Sequence, residues 1–160
     1  MKAKEKRVES RLAAFALMCR QHGIVATHQR TEILRELAGT EEHPDAETIY
    51  ARVRKRIPAM SLDTVYRTLR MLEGKGVISR VGSIKDSTRF DANTDRHHHF
   101  VCCECGMIGD FYSDMLDRFP VPREVAEMGS VDGVYVELRG RCRKCQLGSK
   151  KPETTIGEKP

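Results

Sequence analysis

The feature that most constrains this chain is a pair of C-x-x-C knuckles far apart in sequence. Cys102 and Cys105 lie in "HHHFVCCECGMIGD" and Cys142 and Cys145 in "GRCRKC". Four soft thiolates suit one tetrahedral ion, the usual closed structural zinc site. Such a site adds about 10 kcal/mol or more of apparent folding free energy, enough to hold a small β-rich unit together. A redox dithiol is the weaker reading, because nothing nearby resembles a thioredoxin-like βαβ unit. Cys103 falls between ligands and should face the other side of its strand. Cys19, inside an apolar helical stripe, reads as a small core residue.

Composition supports metal binding over disulfides. The chain has 160 residues, 39% hydrophobic and 32% charged, which is a globular balance. It contains no run approaching the roughly 20 apolar residues of a membrane span, so no membrane partner is expected. The basic start "MKAKEKRVES" leads into an amphipathic segment instead of a cleavable apolar stretch, so the expected location is cytoplasmic. Thiols stay reduced there. The net charge of +5 is uneven: residues 1–96 hold 19 Lys+Arg against 13 Asp+Glu, and residues 97–160 hold 9 against 10.

Apolar spacing predicts a helix from Ser10, as N-cap, to Gln21, and a second from Thr27 to Gly39. A third is expected over "AETIYARVRKRI", ending before Pro58, and a fourth from the Ser61 cap to Gly74 or Gly76. "VISRVG" and "STRFDA", joined by the turn "SIKD", read as the strands of a wing. Beyond them the pattern is β-rich, with "SDMLDRF" the only helix-like piece. The expected fold class is α+β: an N-terminal winged helix-turn-helix domain, then a small α/β domain carrying the four cysteines. The domain bounds are 1–91, a linker at 92–96, 97–147, and a disordered tail at 148–160.

Between Tyr50 and Arg80 eight basic residues (Arg52, Arg54, Lys55, Arg56, Arg67, Arg70, Lys75, Arg80) face two acidic ones. Cations at this density neutralise phosphates and release counterions. In a helix-turn-helix the second helix enters the major groove, which makes Ser61, Thr64, Tyr66, Arg67 and Arg70 candidate contacts to double-stranded DNA. A solvated basic face explains the charge equally well; the wing, with Arg80 and Lys85, favours DNA. The side on which Arg89 lies depends on register.

The histidines need their own account, since four thiolates already satisfy zinc. On a strand His97 and His99 point one way and His98 the other. With Asp91 and Asp110 near in sequence they make a harder site, better matched to Fe2+ or Mn2+ than to zinc. A hydrated polar strand is the bland alternative.

Taken together, "HPDAETIY", "SLDTVYRTLRMLEGKGVI", "RFD", "HHHFVCCECG" and "GRCRKC" resemble, in order and spacing, the ferric-uptake-regulator family of bacterial metal-dependent repressors, and within it the peroxide-responsive branch. The resemblance covers roughly residues 10–146. It implies a homodimer bound to a DNA operator, a four-cysteine zinc site, and a regulatory metal between the domains held by His43, Asp91, His97, His99 and Asp110. Metal-uptake branches typically have Glu where this chain has Asp91 and Asp110, which favours the peroxide branch. The alternative is an iron- or zinc-uptake repressor. Val134 stands where many relatives with an additional metal site have His, so that site is expected to be absent. By the family's mechanism, hydrogen peroxide acting on bound Fe2+ leads to oxidation of His43 or His97 and loss of repression. A non-haem iron enzyme would need open coordination positions and a pocket, and five protein ligands leave little room; no enzyme activity is expected.

Overall fold

A computed structural model describes residues 2–84 and 87–148. Lys85 and the expected disordered tail, apart from Gly148, lie outside the described residues. Four helices lead the chain: α1 (Lys2–Gln21), α2 (His28–Ala38), α3 (Ala46–Arg54) and α4 (Leu62–Gly74). Three of them start on side-chain caps. Thr27, Asp45 and Ser61 each accept from the backbone N–H three residues on, satisfying a donor that the first helical turn leaves free.

Two expectations need correction in this region. Ser10 does not start a helix: α1 begins at Lys2, because the Lys/Glu/Arg-rich stretch before Ser10 is itself made of good helix formers. The third helix stops at Arg54, short of the predicted Ile57. Ile57 precedes Pro58, whose ring disfavours the helical region for the residue before it, and the chain closes with a turn in which Ile57 N–H still donates to Val53 C=O at 2.9 Å.

The predicted apolar stripes converge on one core of Phe15, Ile33, Leu34, Leu37, Ile49, Val53, Val65, Leu69 and Leu72, and Cys19 is buried among them. The hairpin β1 (Ser79–Ile84) and β2 (Ser87–Asp91) closes this core with Phe90. The strands pair antiparallel, Ser79 opposite Asp91, with a bulge between Val81 and Ser83. Ser83 and Ile84, predicted as turn residues, belong to β1. At the bulge Gly82 has φ +42°, and a Cβ there would lie 3.3 Å from Glu137 Oε2 and 3.7 Å from Val101 Cγ2. Only glycine admits both the conformation and the approach of the second sheet.

That second sheet has the order β4-β3-β5, with β3 (His98–Cys102) central, β4 (Ile108–Phe111) antiparallel and β5 (Glu137–Gly140) parallel to it. Val81 of the hairpin meets Val101 and Ile108 of the sheet in a small second core. "SDMLDRF" gives the short α5 (Asp114–Asp117), but it is not the only helix after the hairpin. Two more occur among the described residues, α6 (Arg123–Met128) and α7 (Arg143–Gly148). Neither buries a residue, so neither carries the apolar stripe by which a helix is read from sequence. No helix among the described residues is long and apolar enough to cross a membrane.

Leu69, 1% exposed, sits at the centre of the helical core. Leu69→Ala should cost about 2–5 kcal/mol through lost burial and the cavity left behind, measured as the drop in urea-unfolding free energy of the zinc-loaded protein.

Candidate metal centres

The four cysteines are assembled by the ladder around β3. Cys102 ends β3 opposite Gly140 of β5, and Cys103 N–H donates to Gly140 C=O at 2.8 Å. The first knuckle turns back through Gly106, φ +75°, with Cys102 N–H to Met107 C=O at 2.8 Å and Gly106 N–H to Cys102 C=O at 3.0 Å. The second leads into α7, where Gln146 N–H caps Cys142 C=O at 3.0 Å. Cys102 Sγ then lies 3.9 Å from Cys145 Sγ, and Cys105 Sγ 3.7 Å from Cys142 Sγ. A tetrahedral ion with Zn–S bonds of about 2.3 Å has S···S edges of about 3.8 Å. Backbone N–H groups of Cys105 and Cys142 pull the Cys102 thiol down to about 6. Hydrogen bonds shared with Cys142 and Cys105 push Cys145 up to about 12. Four sulfurs this close cannot all be anions unless a divalent cation balances them, and the donor set fits zinc. Cys103 is exposed and outside the cluster.

The second cluster joins two parts of the chain. His43 lies in the turn before α3, where Phe90 N–H donates to Pro44 C=O at 3.1 Å and so brings His43 beside the end of β2. His43 has φ +49°, the left-handed region, and is only 3% exposed. A non-glycine residue held there carries strain of order 1 kcal/mol, which surrounding structure must impose. Its Nε2 is 2.8 Å from Asp110 Oδ1 on β4. His97 Nε2 is 2.9 Å from Asp91 Oδ2 and 3.0 Å from His99 Nε2. His99 Nε2 stands 3.7 Å from Asp91 Oδ2 and 3.6 Å from Asp110 Oδ1. One donor atom from each of His43, Asp91, His99 and Asp110 falls within 4.8 Å of the others, with His97 against them.

These distances match donors ranged around a cation. Bonds of about 2.1 Å at right angles separate neighbouring ligand atoms by about 3 Å. Asp91 Oδ2 and Asp110 Oδ1 are buried and make no hydrogen bond, which such sites rarely tolerate without another partner. His97 Nδ1 meets the Asp95 carbonyl at 2.6 Å. A carbonyl only accepts, so that nitrogen carries the proton and the Nε2 lone pair is free to face the cluster. Burial lowers the His43 pKa, against the pull of Asp91 and Asp110, and keeps the ring neutral. Burial would raise Asp91, but the neighbouring His99 ring and the hydrogen bond from the Asn93 N–H outweigh it and keep the carboxyl ionised. Neutral imidazole with carboxylate is the form that takes a divalent metal.

Other sites lie where the pattern placed them, with changes in environment. His98 points away from the cluster and is fully buried, 3.3 Å from Asp117 Oδ1. Ser61 and Thr64 bond each other at the cap of α4. Tyr66, Arg67 and Arg70 are exposed along α4, with Tyr66 hydroxyl donating to Glu47 and Arg67 2.9 Å from Asp63. The basic face is smaller than residue counting implied. Arg56 pairs with Glu32 and Glu36, Arg52 with Glu36 and Glu42, and Arg80 with Glu73, whereas Arg54, Lys55, Arg70 and Lys75 have no ion pair among the described residues. Arg89 turns to Asp45, at 3.5 Å. Sequence reasoning missed Asn93, which bonds both Asp91 and Asp110. Its only signal is its place two residues after an aspartate.

The profile described as "Ferric uptake regulator family" matches residues 21–136. The peroxide-responsive repressor PerR of Staphylococcus aureus is 34% identical over 141 residues, covering 87% of this chain and 94% of that protein. Among solved structures, the ferric uptake regulator Fur of Helicobacter pylori, described as having three functional metal-binding sites, superposes with TM-score 0.72 at 25% identity, over 87% of this chain and 93% of that one. The peroxide stress regulator of Campylobacter jejuni gives TM-score 0.66 at 29% identity, over 81% and 98%.

Cys105→Ser should abolish retention of one zinc per chain, measured by metal analysis after dialysis, and should lower the melting temperature by more than the Leu69→Ala change. Full zinc retention would count against the four-thiolate assignment.

Proposed function

Because the chain belongs to the ferric uptake regulator family, we propose that it is a cytoplasmic, homodimeric, metal-dependent repressor that binds a double-stranded DNA operator and senses hydrogen peroxide. In this reading residues 1–91 form the DNA-binding domain, residues 97–147 the dimerisation domain with zinc at Cys102, Cys105, Cys142 and Cys145, and His43, Asp91, His97, His99 and Asp110 hold regulatory Fe2+ or Mn2+. The single observation that carries it is the convergence of His43 and Asp91, from the helical part and its hairpin, with His99 and Asp110 of the sheet and His97 just before it, at distances of 2.8–3.9 Å.

A cation bound by both parts of the chain favours one relative arrangement of them, and DNA affinity follows that arrangement. Fe2+ held by these residues would supply the electron transfer that breaks the O–O bond of hydrogen peroxide. In the net reaction one peroxide oxygen would enter a ring C–H bond of His43 or His97 and the other would leave as water; the oxidised ring, its nitrogens protonated in the oxo form, would no longer offer a lone pair to the set of donors. The remaining residues no longer tie the helical part to the sheet, and the grip on DNA is lost. Asp91 and Asp110, and the likeness to the S. aureus repressor, support peroxide sensing over the second reading, an iron- or zinc-uptake repressor. The likeness to the H. pylori regulator is what favours that second reading.

Operator binding should require divalent metal. Stoichiometric peroxide should release DNA from the Fe2+-loaded protein while the Mn2+-loaded protein keeps it. Mass spectrometry should find one added oxygen in the peptide bearing His43 or that bearing His97. Release from both metal forms, or unmodified histidines, would leave the uptake reading. Arg70→Ala, on the exposed and unpaired part of α4, should weaken operator binding and reduce the salt slope by about 1, read by fluorescence anisotropy across a salt series.

A further inference from the structure

Asn93 turns its backbone N–H and both ends of its side-chain amide to the surroundings of the His/Asp centre. Its backbone N–H donates to Asp91 Oδ1 at 2.6 Å. Its Nδ2 donates to Asp110 Oδ2 at 3.3 Å and to the Tyr112 hydroxyl oxygen at 3.0 Å. Its Oδ1 accepts from Arg11 Nη2 of α1 at 2.9 Å and from Asp95 N–H at 3.3 Å. A guanidinium and a backbone N–H can only donate, so the amide oxygen must face Arg11 and the NH2 must face Asp110.

One oxygen of each carboxylate is thereby taken by Asn93. The oxygens left over, Asp91 Oδ2 and Asp110 Oδ1, are buried and without hydrogen bonds, and they stand 2.9 Å from His97 Nε2 and 2.8 Å from His43 Nε2, respectively. Asp91 ends a strand of one sheet and Asp110 lies on a strand of the other. No ladder hydrogen bond sets their separation; Asn93 spans it. Arg11 brings a third element into the arrangement, because α1 is seated in the helical core by Phe15 and Cys19.

We propose that Asn93 is the positioning residue of this centre, aiming one oxygen of each of Asp91 and Asp110 at a divalent cation, and that Arg11 makes the aim depend on how α1 is seated. The proposal rests on the reading that the centre holds Fe2+ or Mn2+. Metal affinity and α1 placement are then linked: a metal that needs both carboxylates in place also favours the Arg11 contact.

The test is Mn2+ titration of the full-length zinc-loaded protein, followed by the free-ion EPR signal, with the visible spectrum of Co2+ in the same centre as a second readout. Asn93→Asp keeps the size and the oxygen for Arg11 but sets a carboxylate against Asp110. It should raise the Mn2+ Kd about 10- to 100-fold, the range for lost outer-shell partners, and alter the Co2+ spectrum at saturation. The melting temperature before Mn2+ is added should stay that of the parent. Arg11→Met should weaken Mn2+ binding several-fold, and Arg11→Lys, which keeps a donor, should restore most of it. Binding by Asn93→Asp within twofold of the parent, with an unchanged Co2+ spectrum, would overturn the proposal. So would weakened binding accompanied by an equal loss of fold before metal is added, since Asn93 would then be structural only. His99→Ala separates the two levels. If the parent binds Mn2+ no better than His99→Ala, the metal reading fails and this proposal with it; if the parent binds and Asn93→Asp matches it, only the role of Asn93 fails.

Discussion

His43 and Asp110 approach to 2.8 Å from opposite sides of the structure, one on the turn before α3 and the other on an edge strand of the three-stranded sheet. Around that contact the chain concentrates what folding ordinarily avoids: the His99 ring edge-on to both His43 and His97, two carboxylates with a buried oxygen each, and a left-handed backbone at a non-glycine residue. Each feature costs free energy alone, and together they are the pattern of a site in which a cation completes the electrostatics. The join between the helical part and the sheet is therefore polar and conditional. Its apolar component is small, Val81 against Val101 and Ile108.

The four-cysteine cluster has the opposite character. It lies at one end of β3, where the ladder to β5 and the turn at Gly106 already bring both knuckles together. A metal there ties the sheet to α7 within one part of the chain and leaves the join to the helical part untouched. β3 carries both functions: Cys102 ends it, His99 lies within it and His97 immediately precedes it. The two centres share a strand and differ in what they connect: the cysteines lie within the sheet and α7, the His/Asp cluster between the sheet and the helical part.

The basic face shows how packing revises a count of charges. Glu32, Glu36 and Glu42 come from α2 and the turn after it, and they neutralise Arg52 and Arg56 of the α3 region. Of the basic run between Tyr50 and Arg80, what remains without an ion pair among the described residues is Arg54 and Lys55 at the end of α3 and Arg70 and Lys75 on α4 and its cap, fewer cations than the run of arginines in the sequence implies.

Local chemistry was legible in the sequence wherever its signal is periodic or self-contained. The stripes of α2 and α4, the Ser61 cap, the hairpin, the paired knuckles and the alternation that separates His97 and His99 from His98 all follow from spacing, because 3.6- and 2-residue periods and ligand spacing are properties of the chain itself. The residues of the His/Asp centre were nameable beforehand, with His43 reached only by resemblance to a family. The tertiary structure alone decided the rest. Helices α6 and α7 bury nothing and leave no periodic trace. The left-handed turn at His43, the sharing of Asn93 between Asp91, Asp110 and Arg11, and the neutralisation of Arg52 and Arg56 each depend on groups brought together from distant segments. Distances of 3 Å between such groups are set by how the core packs, and no local pattern of residues encodes them.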